Sequence, residues 1–355
     1  MTDAGPAAPE SAAPEPAREA PGPDDRARRR ALARLKYIEP TQLAVAMAVI
    51  VILAGVIVAL SIFGWPFGSD PWAKLPDDPS VIVNLAGYFP AEGETPLDSP
   101  AGIAISGRRV YVAESGPGRI AIFDVNGERT GEVAIEKAEG AIRAVPIGVA
   151  AAGRSRIAVL DAGADRVLVY AVTPEGGELL FRIGEQDDAT APARPTAVTY
   201  ADRTYFVADA GTATVKVFDA DGSFVREIGA DAETPLERAG GIAFVSDRLV
   251  ITEPGANRIV AIDAETGQAH GVYPGAYALP RGVTAVRDRA AITDVLGAAI
   301  HVLNADGIPT HTIDERTVSA WPPGGPEGVA WYERTDRLYV TDADFGRVVI
   351  FNVRM

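Results

Sequence analysis

The chain has no cysteine. Disulfide staples, thiolate metal sites, catalytic thiols, covalent c-type haem and a lipidated N-terminal cysteine are therefore excluded. Histidine is nearly as scarce, with three residues in 355, which leaves little room for histidine-based catalysis. Positive charge is also short: 33 Lys and Arg face 48 Asp and Glu, for a net charge of −15. Such a surface does not displace counterions from nucleic acid, so no nucleic-acid partner is expected. No G-x-S-x-G, H-E-x-x-H or phosphate-loop pattern occurs.

What is present falls into unlike parts. Residues 1–25 are dominated by Pro, Ala and acids, with no apolar run, a composition that cannot bury enough surface to offset its chain entropy. A basic cluster follows, from Arg26 to Lys36. Residues 1–42 are thus expected to form a disordered tail ending in a basic juxtamembrane cluster. From Leu43 to Phe63 run 21 residues without a charge and without a polar stripe. About 20 such residues cross the hydrocarbon core as a helix. The segment before the run is too long for a cleaved signal peptide, so a retained signal anchor is expected at 43–63. The cations before it put the N-terminus in the cytoplasm and the rest of the chain outside a cell membrane crossed once. Residues 64–79, with four prolines, read as a linker.

The remainder, 80–355, repeats itself. A Pro-x-Gly start followed by apolar alternation recurs as PAGIAI, PIGVAA, PTAVTY, PRGVTA and PEGVAW, with a degenerate AGGIAF at Ala239. The third-position residues Gly102, Gly148, Ala197, Gly241, Gly282 and Gly328 are 46, 49, 44, 41 and 46 residues apart. Each is followed by a strand-like run closed by an acid: Glu114, Asp161, Asp209, Glu253, Asp294 and Asp342. Five residues beyond the acid stands Arg119, Arg166, Thr214, Arg258, Ala299 or Arg347. A third strand, a Gly-containing turn and a fourth extended run complete the unit. Four short strands per unit of about 45 residues describe a propeller blade. The sixth unit stops after three strands, and SVIVNLAG at 80–87 matches the missing fourth. The fold expected is all-β: a six-bladed β-propeller closed by this N-terminal strand, preceded by the single membrane helix and the disordered tail.

The pattern P-x-G-[IV]-A, Y-V-[AT]-[DE], x4-R-[IV]-x-[VI]-[FY]-D and x-x-G resembles the NHL-repeat family of six-bladed propellers, over residues 80–353. Thr214 and Ala299 depart from it in blades three and five. The resemblance implies a binding platform, in a membrane-anchored bacterial form. Related folds also include amidating lyases and metal-dependent lactonases. A composition of 29 Arg to 4 Lys suits a GC-rich bacterial genome.

The recurrent acid and arginine read best as an ion pair tying the turn between second and third strands. Asp209 and Asp294 lack that arginine, and an uncompensated carboxylate must stay solvated or find a partner, so both are candidate ligand contacts. The middle residues of P-x-G begin the innermost strands and are expected at the channel mouth: Ala101, Ile147, Thr196, Gly240, Arg281 and Glu327. Arg281 and Glu327, in adjacent blades, are the charged pair there. The connections into blades five and six carry Tyr273, Tyr277 and Trp321, residue types favoured as interface anchors. Acids are numerous enough for Ca²⁺, but no loop matches an EF-hand, so no cofactor is expected. The sequence favours a membrane-tethered, extracytoplasmic, non-catalytic module that binds an envelope protein or small ligand. The alternative is a divalent-metal-dependent lactonase or lyase.

Overall fold

The computed structural model describes residues 81–184, 189–229, 236–318 and 324–355. The expected tail, membrane span and linker lie outside the described residues. Among those described, no helix is long and apolar enough to cross a membrane. The only helical element in them is one 3₁₀ turn, Glu333–Thr335.

The described residues form six four-stranded antiparallel sheets. Blade one shows the plan: Pro100–Ser106, Arg109–Glu114, Arg119–Asp124 and Arg129–Ala134, each strand paired with the next. Blades two to five follow at 146–182, 195–229, 241–273 and 280–313. Blade six supplies Pro326–Tyr332, Arg337–Asp342 and Arg347–Arg354, and its fourth strand is Ile82–Phe89. That strand pairs antiparallel with Arg347–Arg354, from Ile82 opposite Arg354 to Phe89 opposite Val348. The closure expected from the sequence is therefore formed, two residues further along than 80–87. The innermost strands touch one another in a closed ring, with Pro326–Tyr332 returning to Pro100–Ser106.

Second and third strands are buried along nearly their whole length, as in Arg109–Glu114 and Arg119–Asp124, so they read as continuous apolar runs. Outer strands such as Ala269–Tyr273 alternate between exposed and covered residues. The reason is that each blade is sandwiched between two others. Six apolar clusters fill the six junctions: for instance Tyr111 and Ile120 with Ile157 and Val159 between blades one and two, and Leu338 and Phe351 with Val302 between six and five. Outer-strand aromatics wedge onto the next blade at turn glycines. Phe89 meets Gly127, Phe181 meets Gly222 and Tyr273 meets Gly307. Those glycines have φ of 94°, 81° and 76°, a conformation that side chains rarely adopt, and a Cβ there would also strike the aromatic ring.

The Pro-x-Gly motif is a β-bulge. Register slips between Pro100 and Ile103, Pro146 and Gly148, Pro195 and Ala197, Pro280 and Val283, and Pro326 and Val329. Proline cannot donate to a ladder and so belongs at a strand's first residue or at a bulge. Blade four, whose start is Ala-Gly-Gly, pairs Gly241 through Val245 with no slip.

A chain beginning at Pro79 is expected to melt in one cooperative transition. A chain beginning at Leu97 leaves the Arg347–Arg354 edge open and drops Phe89 from its contact with Phe123, at 4.7 Å. It is expected to aggregate or to lose the sharp transition. Thermal melting followed by circular dichroism distinguishes the two; equal melting points would refute a closing role for Ile82–Phe89.

Candidate functional site

The site begins with the bulges. All six middle residues of the motif, Ala101, Ile147, Thr196, Gly240, Arg281 and Glu327, line one cavity of about 370 Å³ at the centre of the ring. The third-position residues line it beneath them. Neighbouring innermost strands approach so closely that a Cβ on Gly102 would stand 2.8 Å from Gly148 Cα, and one on Gly328 would stand 2.5 Å from the Ala101 carbonyl oxygen. Glycine is required there by crowding. The ring is pre-formed.

Its chemistry is uneven. In blades five and six, the bulge leaves a glycine amide that a buried threonine answers. Gly282 N–H donates to Thr293 Oγ1 at 2.8 Å, and that hydroxyl donates to the Glu327 carbonyl at 2.6 Å. Gly328 N–H donates to Thr341 Oγ1 at 2.7 Å, which donates to the Ala101 carbonyl at 2.6 Å. Thr252 of blade four likewise donates to the Arg281 carbonyl. Blades one to three carry Ala113, Leu160 and Ala208 at this position, which cannot make the link. The three threonines stand in plain view before the acids of VITE, AITD and YVTD; the sequence reading passed over them.

Arg281 and Glu327 pair across the mouth at 2.9 Å. Burial pushes the Glu327 carboxyl above its usual range, and Arg281 offsets this only in part. Elsewhere on the rim, Ala101 beside Glu327 and Ile147 in the following blade are apolar, and Ile147 is 37% exposed. The mouth is thus amphipathic, with one self-neutralising ion pair.

The blade acids have a different role. None is more than 4% exposed. Arg119 Nε reaches Glu114 at 2.7 Å, Arg166 reaches Asp161 at 3.0 Å, Arg258 reaches Glu253 at 2.6 Å and Arg347 reaches Asp342 at 3.0 Å. The other carboxylate oxygen accepts a backbone amide from the loop entering the same blade. Asp98 N–H bonds Glu114 at 3.0 Å and Val145 N–H bonds Asp161 at 2.8 Å, while Glu237 N–H bonds Glu253.

Asp209 and Asp294, the candidate ligand contacts that lack the arginine, find their partners inside the fold. Asp209 accepts from Ala193, Arg194 and Gly211, at 2.8, 2.7 and 2.9 Å, with Lys216 Nζ at 3.7 Å. Asp294 accepts from Ala278, Leu279 and Gly297, at 2.8, 2.7 and 3.2 Å, with His301 Nε2 at 3.5 Å. In both blades a basic side chain stands two residues along the third strand from the arginine position, Lys216 in one and the His301 imidazole in the other. Side chains two apart on a strand share a face, so the replacement reaches the same carboxylate. Burial alone would raise these acids. The amides and Lys216 outweigh it at Asp209, and His301 with the amides outweighs it at Asp294, so both carboxyls are held below the usual range. At Asp342, burial prevails over Arg347 and the carboxyl is raised.

The tyrosines are not exposed anchors. Tyr273 is buried against Gly307, and Tyr277 is buried with its ring edge-on to His301 at 5.3 Å and its hydroxyl donating to the Pro274 carbonyl at 3.0 Å. Both belong to the apolar cluster between blades four and five. Trp321 lies outside the described residues. Of the seven candidate residues, Arg281 and Glu327 alone meet at the mouth among those described.

No family model matches the chain, and no curated protein matches it. Solved structures do. The chain is similar to Kuenenia stuttgartiensis hydrazine synthase, with 15% identity and a TM-score of 0.52, over 74% of this chain and 97% of that one. It is also similar to a chain of a nidogen–laminin complex, with 17% identity and a TM-score of 0.51, over 67% and 94%. At these identities the likeness shows the propeller fold alone.

Two outcomes follow from the buried acids. Lys216→Ala alone is expected to cost about 3 kcal/mol or more, as when one partner of a buried pair is removed. Adding Thr214→Arg restores the arrangement of blade one and is expected to recover most of that loss, read by urea denaturation. The acids also set an acid limit. A carboxyl held low in the folded state adds stability that is complete above its unfolded value, about 3.9, and lost as pH falls through the folded value. Asp294→Asn is therefore expected to be less stable at neutral pH and to lose less stability below about pH 4 than the parent.

Proposed function

We propose that the chain is a non-catalytic binding or assembly module that docks its partner at the Pro-x-Gly mouth. The observation that carries this reading is the pre-formed amphipathic mouth itself. Glycine crowding holds it rigid, Ala101 and Ile147 offer apolar surface, and Arg281 and Glu327 offer a donor and an acceptor that a partner can compete for. Rigid concave surfaces with a few placed polar groups bind without first losing conformational freedom. The NHL-like repeat pattern supports the same reading, as does a fold shared with proteins of unrelated activity. Residues 43–63 would tether the module to a cell membrane, with the propeller on the extracytoplasmic side.

The second reading, a metal-dependent lactonase or lyase, needs converging ligands. Among the described residues no three His, Asp or Glu side chains come together in a group that could hold a metal ion. His270 and His311 lie in outer strands and His301 in a third strand, away from the mouth.

A photo-crosslinking residue at Ile147 of the full chain, in intact cells, tests the docking point. A discrete adduct is expected from Ile147 and none from Ile308, an exposed residue in a third-to-fourth-strand turn. Arg281→Ala with Glu327→Gln is expected to reduce the adduct roughly tenfold, the effect of losing one interface anchor. Equal labelling from both positions would reject the mouth as docking point. Stoichiometric Ca²⁺ or Zn²⁺ by elemental analysis would favour the enzyme.

A further inference from the structure

On the opposite side of the ring lie the turns joining first to second strands and third to fourth strands. Most propeller arginines there and elsewhere have a partner. Arg287, in the first turn of blade five, reaches Asp336 of blade six at 2.8 Å, and Arg248 donates to the Ala305 carbonyl at 3.1 Å. Blades two and three differ. Arg154, Arg156 and Arg203 line one cavity of about 330 Å³ with Ser155, Tyr200 and Asp221. Arg154, Ser155, Arg156 and Arg203 are all exposed. None of the three guanidiniums makes an ion pair with a carboxylate among the described residues. This stands out in a chain with an excess of 15 acids.

Three like charges around one hollow repel one another unless an anion enters. The turn that presents Arg203 is unusual as well. Asp202 and Arg203 form a two-residue connection between paired Ala201 and Thr204, with φ of 47° and 62°. Such turns favour Asn-Gly or Gly-Gly, and blade one has Gly107 at φ 61° in its own first turn. Arg287 also has φ of 59°, but Asp336 holds it. At Arg203, a long charged side chain is kept at a position suited to glycine, with no ion-pair partner among the described residues.

We propose that this pocket at the junction of blades two and three binds a phosphoryl dianion. Three guanidiniums against the carboxylate of Asp221 leave a formal charge of +2, which a dianion neutralises. Guanidinium forks match the oxygen spacing of phosphate and bind it in bidentate fashion, and Ser155 Oγ and Tyr200 Oη add neutral donors. The same chemistry is offered by a free phosphate monoester and by a lipid headgroup ending in one. The site is separate from the Pro-x-Gly mouth, and the proposal stands whether or not that mouth is the docking point.

The test uses the full chain at about pH 8, above the second ionisation of a phosphate monoester near 6. Inorganic phosphate and a water-soluble short-chain phosphatidic acid are each titrated by calorimetry against a chloride background. Saturable binding of at least one is expected. Arg154→Ala with Arg203→Ala is expected to weaken it at least about tenfold, without shifting the melting point, because both residues are exposed turn positions. Arg108→Ala, in the matching turn of blade one, is expected to bind as the parent does. Tighter binding of the short-chain lipid than of phosphate identifies a headgroup as the source; equal binding identifies a free phosphate. The proposal is overturned if neither probe saturates, or if the double variant binds like the parent.

Discussion

The structure depends on a carboxylate kept out of water at the end of every second strand. Each one faces backbone amides of an incoming loop or a turn on one side and a basic side chain on the other. The acid therefore fixes where a blade starts, how its second strand turns and where its third strand runs. A desolvated carboxylate is tolerated only when such partners surround it. Blades three and five show which part of the arrangement is indispensable. Their arginine is gone, the acid stays, and a lysine or histidine two residues on takes over while the amide bonds persist. The carboxylate that accepts backbone amides is the constant; the identity of the basic partner is exchangeable.

That distinction also explains what could be read from the sequence. Repeats, blade count, the closing strand and the six rim positions depend on patterns inside one unit, which a period of about 45 residues displays directly. The pairing of Arg281 with Glu327 was legible because both occupy the same repeat position in adjacent units. The partners of Asp209 and Asp294 were missed because the expected cation was sought at one fixed spacing, whereas a strand face accepts any offset that differs by two. Tyr273 was misread for a different reason. Its burial depends on Gly307, a turn residue of the next blade, and nothing within its own unit records that contact.

The six blades are alike in backbone and unlike in how they are fastened at the centre. From blade four through blade six to blade one, a second-strand threonine hydroxyl reaches the innermost strand of the next blade. In blades one to three the corresponding residues, Ala113, Leu160 and Ala208, are apolar. A hydroxyl bridge adds a directional bond with a narrow range of distance to the close packing found all round the ring. The charged side of the mouth therefore sits in the half of the ring that carries these hydroxyl bonds. Arg281 and Glu327 are held where small displacements would matter most.

The closing strand has a consequence for how the protein is made. Ile82–Phe89 leaves the ribosome before the other propeller strands, yet its partner Arg347–Arg354 follows some 265 residues later. At about 5–20 residues per second, translation alone separates the two by roughly 10–50 s. Blades one to five can assemble in that interval, because each contains all four of its strands. Blade six cannot, and its outer strand must wait unpaired. Circularity therefore makes the final step of folding a long-range one, in which the entropy of closing the whole ring is met by a single strand pairing.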